Sequence, residues 1–327
     1  MKKQVIVSGI QPTGNIHIGN YLGTIKNWVE LQNSGKYEMY IFIADLHSLT
    51  GNMSPEDRRA QILRTSAELI AVGIDPNKTT FFIQSHVQEH TELSWVFNCV
   101  TPISELYRMT QFKDKSDRQE KNINSGLLTY PILQAADILL YHGDIVPVGQ
   151  DQIQHVELTR DTARWFNNRF GKYFPETKHL LTKISKVMSL LDPNKKMSKS
   201  LGSGHVIELN DEPEVVMKKL SKAVTATFVG EGAPGVQNLL LLLNEFGDQN
   251  IYQDFLTAEI DGTIRYGELK KAVAEAIINY FADFRQKRAE LLSDENKLNE
   301  ILQKGADKAR PVAQKTMEEV RKMVGIR

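Results

Sequence analysis

A turn near the start of the chain carries residue types that suit phosphate binding. Residues 8–14, SGIQPTG, follow a short apolar run and precede a helical pattern. Such a strand-to-helix turn presents backbone N–H groups and the positive end of the helix dipole, which favour an anion. The turn lacks the GxGxxG and GxxxxGK spacings and continues instead as NIHIGN, where His17 and Asn20 share one helix face. Simple capping of the helix by these two residues is the alternative.

A second candidate is the loop at residues 194–205, NKKMSKSLGSGH. It places three lysines and three serines around Met197. Lysine-rich loops are mostly solvated surface, so composition alone does not assign this loop a role. It lies where one pattern of elements gives way to another, however, and a hinged loop that covers a ligand is expected at such a junction.

Asp137 is the third candidate, because it stands in an apolar helical run, AADILLY, at residues 135–141. An unpaired carboxylate is costly to bury in such a run. Asp137 is therefore expected to meet a polar group, which is either a ligand or a partner within the fold. The residues alone leave both open.

The bulk composition limits the kinds of protein this can be. The 40 basic and 40 acidic residues cancel over 327 residues, so any contact with nucleic acid must be a local patch. Cys99 is the only cysteine, which excludes disulfides within the chain and cysteine-based metal sites and fits a reducing cytosol. The N-terminal apolar stretch is too short for a secretory signal, and no run approaches the roughly 18 apolar residues of a membrane span.

The first half of the chain alternates between two patterns. Strands are predicted at 5–7, 40–44, 80–83 and 145–148, and helices at 18–31, 57–72, after 92, at 127–141 and at 151–166. This alternation predicts a parallel sheet with helices on its faces. Because such sheets bind ligands at the carboxyl ends of their strands, we expect residues 9–13, 45–47 and 84–86 on one rim.

Helical patterns dominate after residue 200. One helix is predicted to begin at Asp211-Glu212-Pro213, with Asp211 as its cap. We therefore predict an α/β fold, in which a Rossmann-like parallel-sheet catalytic domain is followed by an all-helical domain. The predicted divisions are 1–192 with a mobile polar insertion at 111–126, the loop 193–204 at the junction, a helical domain at 205–292, and C-terminal helices at 293–327.

The turn and the loop together resemble a known pair of motifs. HIGN at 17–20 and KMSKS at 196–200 are similar to the HIGH and KMSKS signatures of class I aminoacyl-tRNA synthetases, in the same order and structural setting. KMSKS matches in full, whereas Asn20 replaces the last histidine of HIGH. Asparagine keeps a hydrogen-bonding side chain but cannot titrate, so this departure speaks against proton transfer at that position and not against phosphate binding.

Longer segments resemble the bacterial tryptophanyl-tRNA synthetase family within that class. They are LLTYPILQAADILLY at 127–141, VPVGQDQIQHVELTRD at 146–161 and MSLLDPNKKMSKS at 188–200. The resemblance extends over essentially the whole chain. Gln134 departs from it, because an apolar residue is expected there beside the amino-acid pocket in many relatives.

This resemblance implies a ligase that uses ATP to convert L-tryptophan to tryptophanyl-adenylate and then transfers it to the 3′ end of tRNA(Trp). It also implies Mg²⁺ held mainly by the ATP phosphates with few or no protein ligands, a cytoplasmic homodimer without membrane contact, and an anticodon-binding helical domain. Lys196 and Lys199 would hold the β- and γ-phosphates, Lys115 would add a third cation, and His17 and Asn20 would complete the catalytic set.

The same resemblance implies the binding residues. For ATP they are Gln11, Pro12, Thr13, Gly19, Asn20, Gly149, Gln150, Asp151, Val187, Lys196, Met197, Ser198, Lys199 and Ser200. Asp151 would accept from ribose hydroxyls, although it also suits an ordinary helix cap. For tryptophan, Asp137 would accept the indole N–H, Tyr130 and Gln152 would hold the α-ammonium group, and His47 would close the pocket.

Three other functions stay open at this point. A tyrosyl-tRNA synthetase shares the fold and the chemistry. A small adenylyltransferase with an HxGH-type turn ordinarily lacks the KMSKS loop and the helical domain. A non-catalytic synthetase paralogue that senses tryptophan would have no reason to keep Lys196 and Lys199.

Overall fold

The computed structural model of the chain describes residues 3–110, 124–149, 152–181, 186–226 and 232–326. Its sheet has parallel strands in the order β3-β2-β1-β4-β5. The strands are β1 (Gln4–Ile10), β2 (Tyr37–Ile43), β3 (Thr80–Ile83), β4 (Ile145–Val148) and β5 (Lys178–Leu181). The four predicted strands are confirmed. The fifth, KHLL, is missing from the prediction because it is short and carries little apolar pattern.

The strand order reverses at β1, with β2 on one side and β4 on the other. In open sheets of this kind, ligands bind at the carboxyl ends of the strands near such a reversal. The predicted rim is present there. Ser85 N donates to Asp45 Oδ1 at 3.0 Å, and Leu46 N donates to Gln84 Oε1 at 3.2 Å.

Helices connect these strands. They are α1 (Ile18–Asn20), a π-helix (Tyr21–Ile25), α2 (Lys26–Asn33), α3 (Asp45–Ser48), α4 (Pro55–Ala71), α5 (Glu89–Asn98), α6 (Ile103–Arg108), α7 (Ser125–Leu139) and α8 (Ile153–Phe170). Capping side chains define two of the starts. Ser54 Oγ accepts from Asp57 N at 3.0 Å before α4, and Asn124 Oδ1 accepts from Leu127 N at 3.0 Å before α7.

The later chain is helical, which confirms the predicted α/β class with a helical C-terminal region. Its helices are α9 (Pro213–Ser221), α10 (Pro234–Phe246), α11 (Gln249–Ile260), α12 (Tyr266–Tyr280), α13 (Ala282–Ser293) and α14 (Glu295–Val324). The predicted cap of α9 is wrong. Glu212 is the N-cap residue, because Asp211 Oδ2 is already engaged by Glu208 N at 2.9 Å and Lys219 Nζ at 2.5 Å. Within the described ranges, no helix has the length and apolar character to cross a bilayer.

The chain divides into two compact units that are not continuous in sequence. The first unit combines residues 1–14, 27–182 and 294–327, and the second combines 15–26 and 183–293. In the first unit, α14 contributes Ala306, Ala309 and Ala313 to the same core as the strands. Gly305 lets α14 approach β3 closely, because a Cβ at this position would lie 1.7 Å from the Phe81 carbonyl oxygen.

The second unit has an aromatic core that holds the segment after HIGN. Tyr21, in the π-helix, packs against Phe246 and Phe281 with ring centroids 6.2 and 5.3 Å away. Its hydroxyl lies 2.7 Å from that of Tyr280. The π-helix is thus anchored by large side chains, and this fixes the position of the short helix α1 that precedes it.

Candidate active site

His17 stands at the start of α1 and is buried. Its N–H donates to Asn20 Oδ1 at 3.2 Å, so Asn20 does cap this turn. Its ring Nδ1 has no hydrogen-bond partner among the described residues. Burial, followed by the charges of Lys199 and Lys196, lowers the pKa of His17 from 6.5 to about 4. His17 is therefore neutral at pH 7, and the two motifs are close enough for the lysine charges to act on it.

Met197 anchors the lysine loop within the second unit. Its side chain is 2% exposed, and its N–H donates to Val187 O at 3.0 Å. Met188 and Lys196 form an antiparallel bridge. Asn238 holds Met188 in turn, accepting from its N–H at 2.8 Å and donating to its carbonyl at 3.0 Å. The loop is therefore anchored by a buried residue, unlike a purely solvated surface loop.

Lys199 reaches back to the segment that precedes HIGN. Its Nζ donates to the Asn15 carbonyl and lies 4.0 Å from Glu208 Oε1. Glu208 Oε2 accepts from Asn15 Nδ2 at 2.8 Å. The Lys199 side chain is 31% exposed, and Lys196 is exposed. An anion from solvent can thus reach the exposed Lys196 side chain and the partly exposed Lys199 side chain.

Gly19 and two serines complete this cluster. A Cβ at Gly19 would lie 2.9 Å from Cε1 of the His17 ring. The absence of a side chain at position 19 therefore makes room for that imidazole. The hydroxyls of Ser198 and Ser200 lie 2.9 Å apart and are hydrogen-bonded to each other. The second unit thus brings together nine predicted residues: His17, Gly19, Asn20, Val187, Lys196, Met197, Ser198, Lys199 and Ser200.

Four other predicted ATP residues belong to the sheet rim of the first unit. Gln11, Pro12 and Thr13 follow β1, and Thr13 N donates to Gln11 O at 2.9 Å in a tight turn. Gly149 follows β4, the neighbour of β1 in the sheet. Lys115, Gln150 and Asp151 lie outside the described residues.

A cavity of about 320 Å³ opens in the first unit, lined from α3, α5 and α7 and the residues that flank them. This volume lies within the range of small-molecule pockets. His47 and Tyr130, two residues predicted to bind tryptophan, both line it, and their ring centroids are 6.2 Å apart. Its lining includes leucines such as Leu46 and Leu133 and hydroxyl side chains such as Ser94. The cavity therefore suits an apolar body with a few polar groups.

Asp137 lies behind His47 and is not among the cavity's lining residues. Its Oδ2 is 2.7 Å from His47 Nε2, and its Oδ1 is 2.7 Å from Gln84 Nε2 and 2.6 Å from His90 Nδ1. Burial by itself raises the pKa of Asp137. The hydrogen bonds from His47 and His90 outweigh that effect and lower the pKa to about 2. Asp137 thus has partners within the fold and stays an anion in a fully buried place.

Tyr130 and Gln152 occupy the neighbouring elements α7 and α8. The Tyr130 hydroxyl lies 3.0 Å from His155 Nε2, and burial raises the pKa of Tyr130 to about 12. Gln152 is the N-cap residue of α8, and its N–H donates to Gly149 O at 3.0 Å. Gln134, which departs from the resemblance, is half-buried on α7.

Several residues that contact the predicted ones, directly or through one further residue, are absent from the predicted site. Glu208 sits beside Lys199, while Gln84 and His90 hold Asp137. Tyr141 and His155 contact His90 and Tyr130. A polar residue at the end of a strand is a usable signal, and Gln84 belongs to the predicted rim. For His90, Tyr141 and His155, the chain offers isolated residues whose partners lie 25 or more positions away. Glu208 is nearer to Lys199 in the sequence, but no local pattern marks it. Among the described residues, no group of three or more His, Cys, Asp or Glu is placed to hold a metal ion.

Comparison with known proteins places the whole chain among relatives. Residues 1–282 match the family model described as tRNA synthetases class I (W and Y). The chain is 44% identical over 331 residues to the tryptophan–tRNA ligase of Clostridium perfringens, covering 99% of this chain and 98% of that one. It is 44% identical to the tryptophan–tRNA ligase of Wolinella succinogenes over the full length of both. The crystal structure of Campylobacter jejuni tryptophanyl-tRNA synthetase complexed with ADP and tryptophan is similar, with TM-score 0.88, 34% identity, and coverage of 98% of this chain and 100% of that one.

Proposed function

Because the chain belongs to the class I tRNA synthetases for tryptophan and tyrosine, we propose that it activates L-tryptophan with ATP and attaches it to tRNA(Trp). The observation that carries this proposal is the full-length match at 44% identity to proteins named tryptophan–tRNA ligase. If the chain were a small adenylyltransferase, its similarity to these ligases would not extend over the helical region.

The first step joins a carboxylate to a phosphate. A tryptophan carboxylate oxygen attacks the α-phosphorus of ATP, the bond from that phosphorus to the bridging oxygen breaks, and its electron pair leaves with pyrophosphate. The carboxylate is already ionised at pH 7, so no general base is needed. The protein has to hold the two anions in line and stabilise the departing charge.

We propose that Lys196 and Lys199 stabilise that charge on the β- and γ-phosphates, with Ser198 and Ser200 as neutral donors. This is supported by the exposure of Lys196, the partial exposure of Lys199, and the effect of both charges on His17. Lys199 would exchange the Asn15 carbonyl for a phosphate oxygen. Lys115 is proposed as a third cation.

We propose that His17 acts as a neutral hydrogen-bonding group and not as an acid. Its lowered pKa, about 4, supports this role, as does the lack of a partner for its buried Nδ1 among the described residues. Asn20 and Gly19 would keep the turn and the ring in place. Gln11, Pro12, Thr13, Gly149, Gln150, Asp151, Val187 and Met197 are the proposed remaining contacts to ATP.

For tryptophan, we propose that the 320 Å³ cavity receives the indole, with Asp137 as acceptor for the indole N–H. Each carboxylate oxygen can accept about two hydrogen bonds. Oδ1 accepts two and Oδ2 accepts one among the described residues, so Oδ2 has one acceptor position left. His47 would share Oδ2 with the indole, and Tyr130 and Gln152 would hold the α-ammonium group.

In the second step, a hydroxyl at the 3′ end of tRNA(Trp) attacks the adenylate carbonyl carbon, AMP leaves, and the hydroxyl proton passes to solvent or to AMP.

We propose that Mg²⁺ arrives with ATP and neutralises phosphate charge. We further propose that the helical region reads the anticodon, and that the protein works as a homodimer in the cytoplasm.

ATP–pyrophosphate exchange with tryptophan, tyrosine and phenylalanine side by side tests this function. We expect exchange with tryptophan. Exchange with phenylalanine should be much slower, because phenylalanine has no N–H group for the fixed acceptor, Asp137. Stronger exchange with tyrosine would make the chain a tyrosyl enzyme. No exchange with any of the three, in protein that still binds tryptophan, would indicate a non-catalytic sensor.

A further inference from the structure

The two oxygens of the Asp137 carboxylate have different surroundings. Oδ1 faces Gln84 and His90, which are both 0% exposed. Oδ2 faces His47, whose side chain lines the 320 Å³ cavity. A ligand in that cavity can therefore reach the carboxylate only from the Oδ2 side.

His90 is held in one orientation by a second hydrogen bond. Its Nδ1 lies 2.6 Å from Asp137 Oδ1, and its Nε2 lies 2.9 Å from the Tyr141 hydroxyl. Burial, followed by the charge of Asp137, raises the pKa of Tyr141 well above its usual range, so the phenol keeps its proton. In the neutral imidazole, Tyr141 O–H then donates to Nε2, which leaves the ring proton on Nδ1 to donate to Asp137.

Aromatic side chains close the space around this chain of hydrogen bonds. Phe42 and Phe82 lie with ring centroids 5.7 and 6.0 Å from the His90 ring, and Tyr40 stacks on Tyr141 at 4.4 Å. Water is thus kept from the carboxylate on this side. In such surroundings, hydrogen bonds to a charged group are strong and costly to lose.

We propose that His90, oriented by Tyr141, is a positioning residue that locks the Asp137 carboxylate so that Oδ2 faces the amino-acid cavity, and thereby determines selectivity for a ligand with an N–H donor. This inference rests on the proposed role of Asp137 in binding tryptophan. Because Oδ1 is saturated, the carboxylate cannot turn away from the cavity without breaking two hydrogen bonds. A ligand lacking the donor then finds an acceptor that does not adapt to it.

Three substitutions at position 90, in the full-length enzyme, separate the donor from the shape of the ring. His90→Leu removes both hydrogen bonds. In His90→Gln, the longer amide can still reach the Tyr141 hydroxyl, but no donor remains near Asp137 Oδ1. His90→Asn places an amide nitrogen where Nδ1 stands and so keeps the donor to Asp137. In pyrophosphate exchange, we expect His90→Leu and His90→Gln to raise KM for tryptophan about 10- to 100-fold, with KM for ATP within about twofold. His90→Asn should recover most of the loss.

Tyr141→Phe gives an independent arm in case a position-90 variant unfolds. It leaves the ring in place and removes only the hydroxyl that selects the tautomer, so we expect a smaller rise in KM for tryptophan, about 3- to 10-fold. Wild-type KM for tryptophan in both His90→Leu and Tyr141→Phe would overturn the proposal. Equal loss in His90→Asn and His90→Leu would also overturn it, since the ring and not its donor would then matter.

Asp137→Asn distinguishes the failure of this inference from the failure of the proposed function. If Asp137→Asn leaves KM for tryptophan unchanged, the role of Asp137 itself is wrong. If Asp137→Asn raises KM for tryptophan and neither His90→Leu nor Tyr141→Phe does, only the positioning proposal fails. In the Asp137→Asn background, His90→Leu should add little, because two residues that act through one contact are not additive.

Discussion

Histidine is used in opposite surroundings in the two regions of this molecule. In the second unit, His17 lies near Lys196 and Lys199, and its pKa falls to about 4. In the first unit, His47 and His90 flank Asp137, and their hydrogen bonds lower the pKa of this carboxyl to about 2. The first arrangement leaves cations accessible to an anionic ligand, whereas the second keeps an anion buried as a permanent acceptor.

This difference shows how each region can select its ligand. Accessible ammonium groups attract phosphates by charge and can change partners, as Lys199 would when it leaves the Asn15 carbonyl. A buried carboxylate with three donors cannot change partners cheaply, so it recognises a ligand by geometry. Substitutions in the two regions should therefore alter different properties.

The largest effect is expected from Asp137→Ala on stability. It removes a buried acceptor from His47, Gln84 and His90, so the free energy of unfolding should fall by about 3–5 kcal/mol. Asp307→Ala is the matched control, because Asp307 pairs with Arg310 at 2.8 Å on the surface, and a change within about 0.5 kcal/mol is expected. Denaturant unfolding measures both. An equal loss of unfolding free energy in both variants would show that the buried hydrogen bonds of Asp137 stabilise the fold no more than a surface ion pair does.

The next largest effect is expected from Lys199→Ala on turnover. If Lys199 acts mainly on the departing pyrophosphate, kcat for pyrophosphate exchange should fall about 10²–10³-fold, with little change in stability. Lys195→Ala is the control, since Lys195 lies in the same loop but pairs with Asp192 at 3.0 Å. A change below about threefold is expected there. Near-normal exchange by Lys199→Ala would remove the assignment.

A smaller effect is expected in the pH dependence of stability through His17. Its folded pKa of about 4 lies below the ordinary 6.5, so the unfolded chain binds more protons and the free energy of unfolding rises with pH between these values. The rise is on the order of 2 kcal/mol, since solvent partly screens the charges of Lys196 and the partly exposed Lys199. His17→Gln should flatten the curve in this window. If the free energy of unfolding depends on pH in the same way in wild type and His17→Gln, folding does not lower the pKa of His17.

Asp137 acts in a separate pH window. Its folded pKa of about 2 lies below the ordinary 3.8, so its stabilisation is present above pH 4 and is lost as the pH falls through 2. Between pH 2 and pH 4, we therefore expect the free energy of unfolding to rise with pH equally steeply in wild type and in His17→Gln.

The smallest effect is expected from Glu208→Gln. The amide keeps an acceptor for Asn15 Nδ2 but removes the charge 4.0 Å from Lys199. KM for ATP should fall by about twofold or less, and the difference should vanish at high ionic strength. A tenfold loss of kcat would instead make Glu208 part of the catalytic machinery.

The sequence predicts much of the fold because the main strands are apolar runs and the helices between them have clear periodicity. It does not predict β5, since KHLL has few apolar residues. The residue type of Asp211 predicts that it caps α9, but Glu208 and Lys219 compete for its carboxylate. That competition depends on tertiary contacts, which no local pattern contains.

The two regions also differ in what a sequence can reveal about them. The phosphate-handling residues lie in two short motifs, 17–20 and 196–200, and are recognised by their order. Asp137 stands out because it is charged in an apolar run. Its partners at 47, 84 and 90 are scattered polar residues whose meeting depends on the parallel sheet and on α7. His90 could be found only once the strands were placed side by side.

The most direct test of the division between the two regions is one pyrophosphate-exchange experiment on Lys199→Ala and Asp137→Asn, with kcat and both KM values measured for each. We predict a crossed result, in which Lys199→Ala lowers kcat and leaves KM for tryptophan near the wild-type value. Asp137→Asn should raise KM for tryptophan far more than KM for ATP. Both variants changing the same parameter to the same extent would contradict the account.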